Sequence, residues 1–139
     1  MPAGDGREPF IDARDPFIDA RDVAEVAVAA LTEGVHAGQV YKLSGPNPLS
    51  FGDAVTQIAR ASGRDIRYIP LTPERFESEL VQAGVPAEFV ALELGRCAAV
   101  RSGAYADVTD GVRRVLGREP RAFAEYVRET AATGVWASA

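Results

Sequence analysis

The chain of 139 residues carries 20 acidic and 15 basic side chains, has a formal net charge of −5, and is 47% hydrophobic. This composition is typical of one globular domain with a real core and argues against an intrinsically disordered chain. The basic residues are nearly all arginines and are scattered along the sequence, so they lack the clustering that binds nucleic acid. We therefore expect no nucleic-acid partner.

The single cysteine, Cys97, excludes an internal disulfide and a cysteine-based zinc site. The sequence shows no signal peptide and no apolar run long enough to cross a bilayer. We expect a cytoplasmic protein that makes no contact with a membrane.

A flexible segment is predicted over residues 1–8, which are rich in Gly, Pro and Asp, ahead of a single α/β domain over 9–139. The heptapeptide Pro-Phe-Ile-Asp-Ala-Arg-Asp then occurs twice, at 9–15 and 16–22. A copy this short is a local duplication, natural or engineered, rather than a solenoid repeat. Pro16 cannot donate to a strand ladder, so only one copy fits a given place in a sheet. The other copy would form an arm, a loop or a strand lent to another chain.

The first helix is predicted to begin at Asp22, which with Glu25 approximates a capping box, and to end at Gly34. A strand over 39–43 follows. The apolar stripe of the helix at 3.6-residue spacing consists of Val23, Val26, Ala27, Ala30 and Leu31.

A second helix is predicted from Ser50 to Gly63, and a second strand over 66–71. Residues 72–139 are predicted to form a mainly helical cap. Four helices are predicted in this cap. The first runs from Thr72 and Pro73 to about Ala83, and the second ends at about Ser102. The third runs from Thr109 to Gly117, and the fourth begins at Pro120.

Short strands alternating with helices predict an α/β fold: a small, mostly parallel sheet of about three strands, with helices on its faces and a helical C-terminal cap. A parallel sheet needs both faces covered and its edges protected. We therefore expect a truncated Rossmann-like fold that is completed by strand exchange in a homo-oligomer, with a dimer favoured.

The run PFIDARDVAEVAVAALTEGVHAGQVYKLSGPNPLSFGDAVTQIARASGRDIRYIPLTPERF resembles the C-terminal part of NmrA-like NAD(P)H-binding proteins. These proteins are atypical members of the short-chain dehydrogenase/reductase superfamily. The run VTDGVRRVLGREPRAFAEYV is similar to the end of that family, so the resemblance extends from about Gly4 to Trp136. It implies the fold of the substrate-side part of such a reductase.

The sequence departs from the family pattern where the dinucleotide would bind. It has no Gly-rich G-x-x-G-x-x-G turn between a strand and a helix, and Gly4 and Gly6 follow no apolar strand. Tyr41 and Lys42 are adjacent, where the orthodox branch spaces its Tyr and Lys four residues apart. We therefore expect no cofactor and no dinucleotide site within this chain.

His36 is the only histidine, in a polar turn, and is interpreted as an exposed loop residue rather than a catalytic base. One histidine cannot build a metal site, so none is expected. The duplicated carboxylates are interpreted as structural, with Asp22 capping a helix. No catalytic residue is assigned.

A better pocket hypothesis comes from aromatic and basic side chains at the end of the second predicted strand and after it, because ligands of α/β folds bind beyond the carboxyl ends of strands. Core packing and a subunit interface remain alternatives for these residues. The candidate ligand-binding residues are Tyr68, Phe76, Phe89, Arg96 and Tyr105.

Three functions stay open. The preferred one is a stand-alone, oligomeric domain that binds a small molecule, derived from the substrate half of a reductase. The second is part of an NAD(P)H-dependent oxidoreductase that is active only with a Rossmann portion. The third is a non-enzymatic regulatory or interaction module.

Overall fold

The structure, a computed structural model, describes residues 14–137. The predicted flexible segment and most of the first heptapeptide copy lie outside the described residues. The elements in chain order are β1 (Arg14–Asp15), α1 (Ala20–Thr32), a 3-10 turn (Gly34–His36), β2 (Leu49–Ser50), α2 (Phe51–Ser62), α3 (Pro73–Gln82), α4 (Ala87–Arg101), α5 (Gly111–Leu116) and α6 (Phe123–Ala132).

The start signals of α2 and α3 are confirmed. The Ser50 hydroxyl accepts a hydrogen bond from the Asp53 backbone N–H at 3.0 Å. Gly63 ends α2 in the left-handed region, with φ 67°, which favours glycine. Thr72 caps α3, and Pro73 takes its first position, where the missing N–H has no cost.

The predicted cap of α1 is wrong. The helix starts one turn earlier, because the Asp19 carboxylate accepts the backbone N–H of Arg21 at 2.8 Å and acts as the N-cap. Asp22 therefore lies inside the first turn, where it is fully buried.

The starts of α5 and α6 also differ from the prediction. Thr109 does not cap α5; its hydroxyl donates to the Lys42 carbonyl oxygen at 2.7 Å, and Asp110 holds the cap position without a side-chain bond. Pro120 lies before α6, whose N-cap is Ala122.

The sheet is smaller than predicted and has a different direction. Within residues 14–137, strand pairing is limited to an antiparallel ladder that aligns Arg14 with Ser50 and Asp15 with Leu49. The predicted strands over 39–43 and 66–71 form no ladder there. A strand needs a neighbour that takes its hydrogen bonds, and no other strand of the described chain lies beside them.

The helices pack in pairs, α1 on α5, α2 on α6 and α3 on α4. The ring of Phe17 joins the segment before α1 to two other helices, since it lies 5.2 Å from the Phe51 ring and 5.3 Å from the Phe123 ring. The buried apolar residues of the described chain are Val26, Ala29, Ala54, Val90, Val112 and Val127. No helix within 14–137 is long and apolar enough to cross a membrane.

α1 buries a narrower stripe than the sequence predicted. Val26 and Ala29 face the core together with Asp22, whereas Val23 is 41% and Leu31 is 87% exposed. The apolar stripe of α1 therefore extends beyond the side that α5 covers.

Two glycines allow the loop after residues 39–43 to pack against the backbone. The Gly45 N–H donates to the Pro16 carbonyl at 2.8 Å, and a Cβ at Gly45 would overlap the Phe17 carbonyl oxygen. A Cβ at Gly111 would overlap the Lys42 carbonyl oxygen in the same way. These contacts hold the 42–45 segment between the chain before α1 and the start of α5.

Candidate functional site

The five predicted ligand-binding residues lie on or beside α3 and α4. Tyr68 precedes α3 and is 46% exposed, Phe76 is half-buried on α3, and Phe89 on α4 is 53% exposed. Arg96 on α4 donates to a glutamate three residues earlier at 2.6 Å, and Tyr105 follows the helix and is 58% exposed. Because α3 packs on α4, Phe76 lies on a helix adjacent to the one that carries Phe89 and Arg96.

None of these five residues lines either of the two depressions described on the surface of residues 14–137. Their role as ligand contacts stays a prediction. Most of them present apolar or aromatic surface to solvent, which suits either a ligand or another protein surface.

A partly buried ionic cluster, centred on the fully buried Asp22, fixes α1 to the connection between α5 and α6. The Asp22 carboxylate accepts from Arg118 Nη2 at 2.8 Å, from the Arg121 backbone N–H at 2.7 Å, and from the Arg121 guanidinium. Glu25, one turn along α1, accepts from Arg118 at 2.5 Å and from Arg121 at 2.7 Å. We call these four residues the Asp22 cluster.

The cluster is structural rather than catalytic. Its arginine hydrogen bonds hold the pKa of the Glu25 carboxyl below its ordinary value. Asp22 is 0% exposed, so its oxygens face only the two arginines and not a ligand. The structural interpretation agrees with this geometry for Asp19 and Asp22, but the capping role belongs to Asp19, and Asp12 lies outside the described residues. The Arg-Glu-Pro-Arg run at 118–121 was the available signal, and only the fold shows its partner.

The interpretation of His36 as an exposed loop residue is wrong for its side chain, which is only 7% exposed. Its Nδ1 and the Tyr41 hydroxyl are 2.8 Å apart, and the Arg114 guanidinium lies 5.2 Å from the centre of the Tyr41 ring. Nε2 lies 3.4 Å from the Glu33 carboxylate. We interpret these contacts as packing between the 3-10 turn, the 39–43 segment and α5.

The same segment borders a depression of about 490 Å³, which is lined by Val40, Lys42, Val108, Thr109, Asp110 and Arg114. The second depression is a groove of about 620 Å³ between α2 and α6. No group of three or more potential metal-ligating side chains occurs in the part of the chain that the structure describes.

The chain is similar in sequence to known oxidoreductases, although no family model matches it. It is 37% identical to the NAD(P)H azoreductase of Xenophilus azovorans over 95% of this chain and 44% of that protein. It is 35% identical to the uncharacterized oxidoreductase YesF of Bacillus subtilis, over 96% of this chain and 45% of YesF. The chain thus spans less than half the length of these curated relatives.

Solved structures share the fold. Triphenylmethane reductase from Citrobacter sp. superposes with a TM-score of 0.71 at 22% identity, over 87% of this chain and 42% of the reductase. The NADPH-dependent quinone oxidoreductase QOR2 from Escherichia coli gives a TM-score of 0.74 at 21% identity, over 87% of this chain and 44% of QOR2.

The described residues therefore share the Rossmann-like fold of part of these two reductases. The sequence relatives are oxidoreductases, and the azoreductase is named for its use of NAD(P)H. The sequence relatives therefore agree with the resemblance to reductases, while the assignment to the NmrA-like proteins stays a prediction.

Proposed function

We propose that this chain forms the substrate-side portion of an NAD(P)H-dependent oxidoreductase, and that the dinucleotide is held by a separate portion. The observation that carries the proposal is the alignment of 95% of this chain with 44% of an NAD(P)H azoreductase at 37% identity. A cytoplasmic location is part of the same proposal.

The surface of α1 supports this proposal, because the helix is apolar on both sides. One side packs on α5, yet Val28 is 60% and Leu31 is 87% exposed on the other, among exposed alanines. A helix with apolar residues on two sides is characteristic of one that is covered on both. The uncovered side, with Val23, Val28 and Leu31, is called the outer face of α1.

The 39–43 segment also needs a further portion of protein beside it. Its sequence predicts a strand, and Val40 is 85% exposed without a ladder among the described residues. A dinucleotide-binding portion would supply both a neighbouring strand for this segment and an apolar sheet face for α1. The strand prediction would then be fulfilled in the complete enzyme.

The residues of this chain do not fit the dinucleotide itself. A pyrophosphate binds at a helix N-terminus behind a Gly-rich turn. In the described chain, the first turns of α1, α2 and α3 are occupied by the side chains of Asp19, Ser50 and Thr72. The helices α4 and α6 have no capping side chain, but neither follows a Gly-rich turn. We therefore assign no step of hydride transfer to these residues.

In this proposal the chain binds and orients the molecule that is reduced. Tyr68, Phe76, Phe89, Arg96 and Tyr105 are the proposed contacts, since aromatic rings and a guanidinium suit a flat, partly polar acceptor. The stand-alone homo-oligomer is the competing proposal, and in it a second copy of the chain covers the outer face of α1.

The test is a chimera in which this chain replaces the matching 44% of the Xenophilus azovorans azoreductase. We expect NADPH-dependent reduction of an azo dye or a quinone. Leu31→Glu should abolish it by charging the covered face, whereas Val81→Glu, at a 59% exposed position on α3, should keep it. A folded chimera that binds NADPH and reduces none of these acceptors would contradict the proposal.

A further inference from the structure

The groove between α2 and α6 combines an apolar floor with a positively charged rim. Val127, which is 3% exposed, forms its floor. α2 contributes Gln57, Arg60 and Ala61, and α6 adds Arg128 beside small side chains. The groove is a wide depression of about 620 Å³ that is open to solvent. The small residues that α6 adds are Ala124, Ala131 and Ala132.

The two arginines of this groove differ from most arginines of the protein. Within residues 14–137, only the guanidiniums of Arg60, Arg64 and Arg128 have no ion pair, hydrogen bond or ring contact, while every other arginine has a partner. Two of these three therefore flank the same groove. No acidic residue lines it, although the whole chain has a net charge of −5.

This separation of charge selects for an anion. A guanidinium forms strong, directional hydrogen bonds with a carboxylate. The alanines and Val127 can bury an alkyl or aryl body, and the absence of lining carboxylates leaves both cations available to the anionic head. A neutral ligand would gain only from the floor, and a cation would be repelled by the rim.

We propose that the α2–α6 groove binds a small organic anion, with its apolar body against Val127 and the alanines and its carboxylate between Arg60 and Arg128. The site is separate from the outer face of α1 and does not depend on the proposed reductase function. An acidic helix of a partner protein is the other occupant that the charge would allow, and the experiment distinguishes it.

The test is calorimetric titration of the protein with octanoate and with octanamide, which has the same chain length without the charge. We expect saturable binding of octanoate and binding of octanamide that is at least about fivefold weaker, a difference of about 1 kcal/mol. The double variant Arg60→Gln/Arg128→Gln should bind octanoate as weakly as octanamide. Ala124→Leu, at an exposed position that lines the groove, should weaken both ligands.

Arg64→Gln is the matched control, because Arg64 is unpaired but lies outside the groove. It should leave octanoate binding unchanged, and circular dichroism should show that every variant is folded. The proposal is overturned by the absence of saturable octanoate binding, as expected if the groove accepts only a partner helix. Equal binding of octanoate and octanamide would also overturn it. So would a loss of octanoate binding in Arg64→Gln as large as that in the Arg60→Gln/Arg128→Gln variant.

Discussion

Asp22 shows how one buried charge holds distant parts of the chain together. Its carboxylate is fully enclosed, and its partners Arg118 and Arg121 are more than ninety residues away in sequence. A buried ion pair contributes little net stability, but loss of the Asp22 charge would remove its charge-assisted hydrogen bonds and leave Glu25 alone to pair with the two arginines. The geometry of α1 against the α5–α6 connection therefore depends on this side chain.

Asp22→Asn should lower the free energy of unfolding by about 1–3 kcal/mol, because the charge-assisted hydrogen bonds of Asp22 are lost while Glu25 still pairs with both arginines. Asp65→Asn is the matched control, since the Asp65–Arg67 pair is almost fully exposed and should contribute less than about 1 kcal/mol. Urea denaturation followed by circular dichroism measures both. Equal small losses in the two variants would show that the cluster does not hold α1.

The arginine partners also predict how stability depends on pH. Arg21 lowers the pKa of the Asp19 carboxyl, and Arg118 and Arg121 lower that of Glu25. Because both pKa values are lower in the folded state, the stabilisation is complete above the unfolded values near 4. It is lost as the pH falls through the folded values. Burial raises the pKa of Asp15, which acts in the opposite sense.

We therefore expect a free energy of unfolding that decreases below about pH 4. Arg21→Gln should reduce this dependence, because Asp19 then loses the guanidinium that lowers its pKa. Urea titrations at a series of pH values test this. A free energy of unfolding that rises as the pH falls from 5 to 3 would contradict the assignment.

At the scale of elements, local signals and long-range contacts were not equally predictable. The starts of α2 and α3 follow from Ser50, Thr72 and Pro73, whose effects act within one turn. The role of Asp22 could not be predicted, because it depends on arginines that only the tertiary fold brings near. Strand formation over 39–43 also depends on a neighbour, which apolar spacing alone does not reveal.

The approach of the 42–45 loop to α5 gives a prediction at this scale. Gly111→Ala should destabilise the protein by about 1–3 kcal/mol, because the new methyl group overlaps the Lys42 carbonyl, which is backbone. Gly95→Ala on α4 is the control, since nothing lies near its Cβ position. It should stabilise by about 0.5–1 kcal/mol through the helix preference of alanine. Thermal unfolding of both variants measures these effects. An unchanged stability of Gly111→Ala would show that the 42–45 loop is not held against α5.

At the scale of the whole molecule, exposed apolar surface is the main feature. In addition to the residues of the outer face of α1, Val40 and Ile69 are 85% and 73% exposed. Both lie in segments whose sequences predict strands. Soluble monomers rarely leave such surface uncovered over a large area. The coarse fold class was predictable from the alternation of elements. The extent of the sheet was not, because a strand forms only beside a neighbour that takes its hydrogen bonds, and the sequence does not identify that neighbour.

The central claim is that this chain binds the substrate of a reductase and depends on another portion for the dinucleotide. Fluorescence titration with NADPH, of the chain alone and of the azoreductase chimera, tests it most directly. We predict saturable binding by the chimera and none by the chain alone. Saturable binding by the isolated chain, with a Kd on the order of 1 μM, would contradict the account.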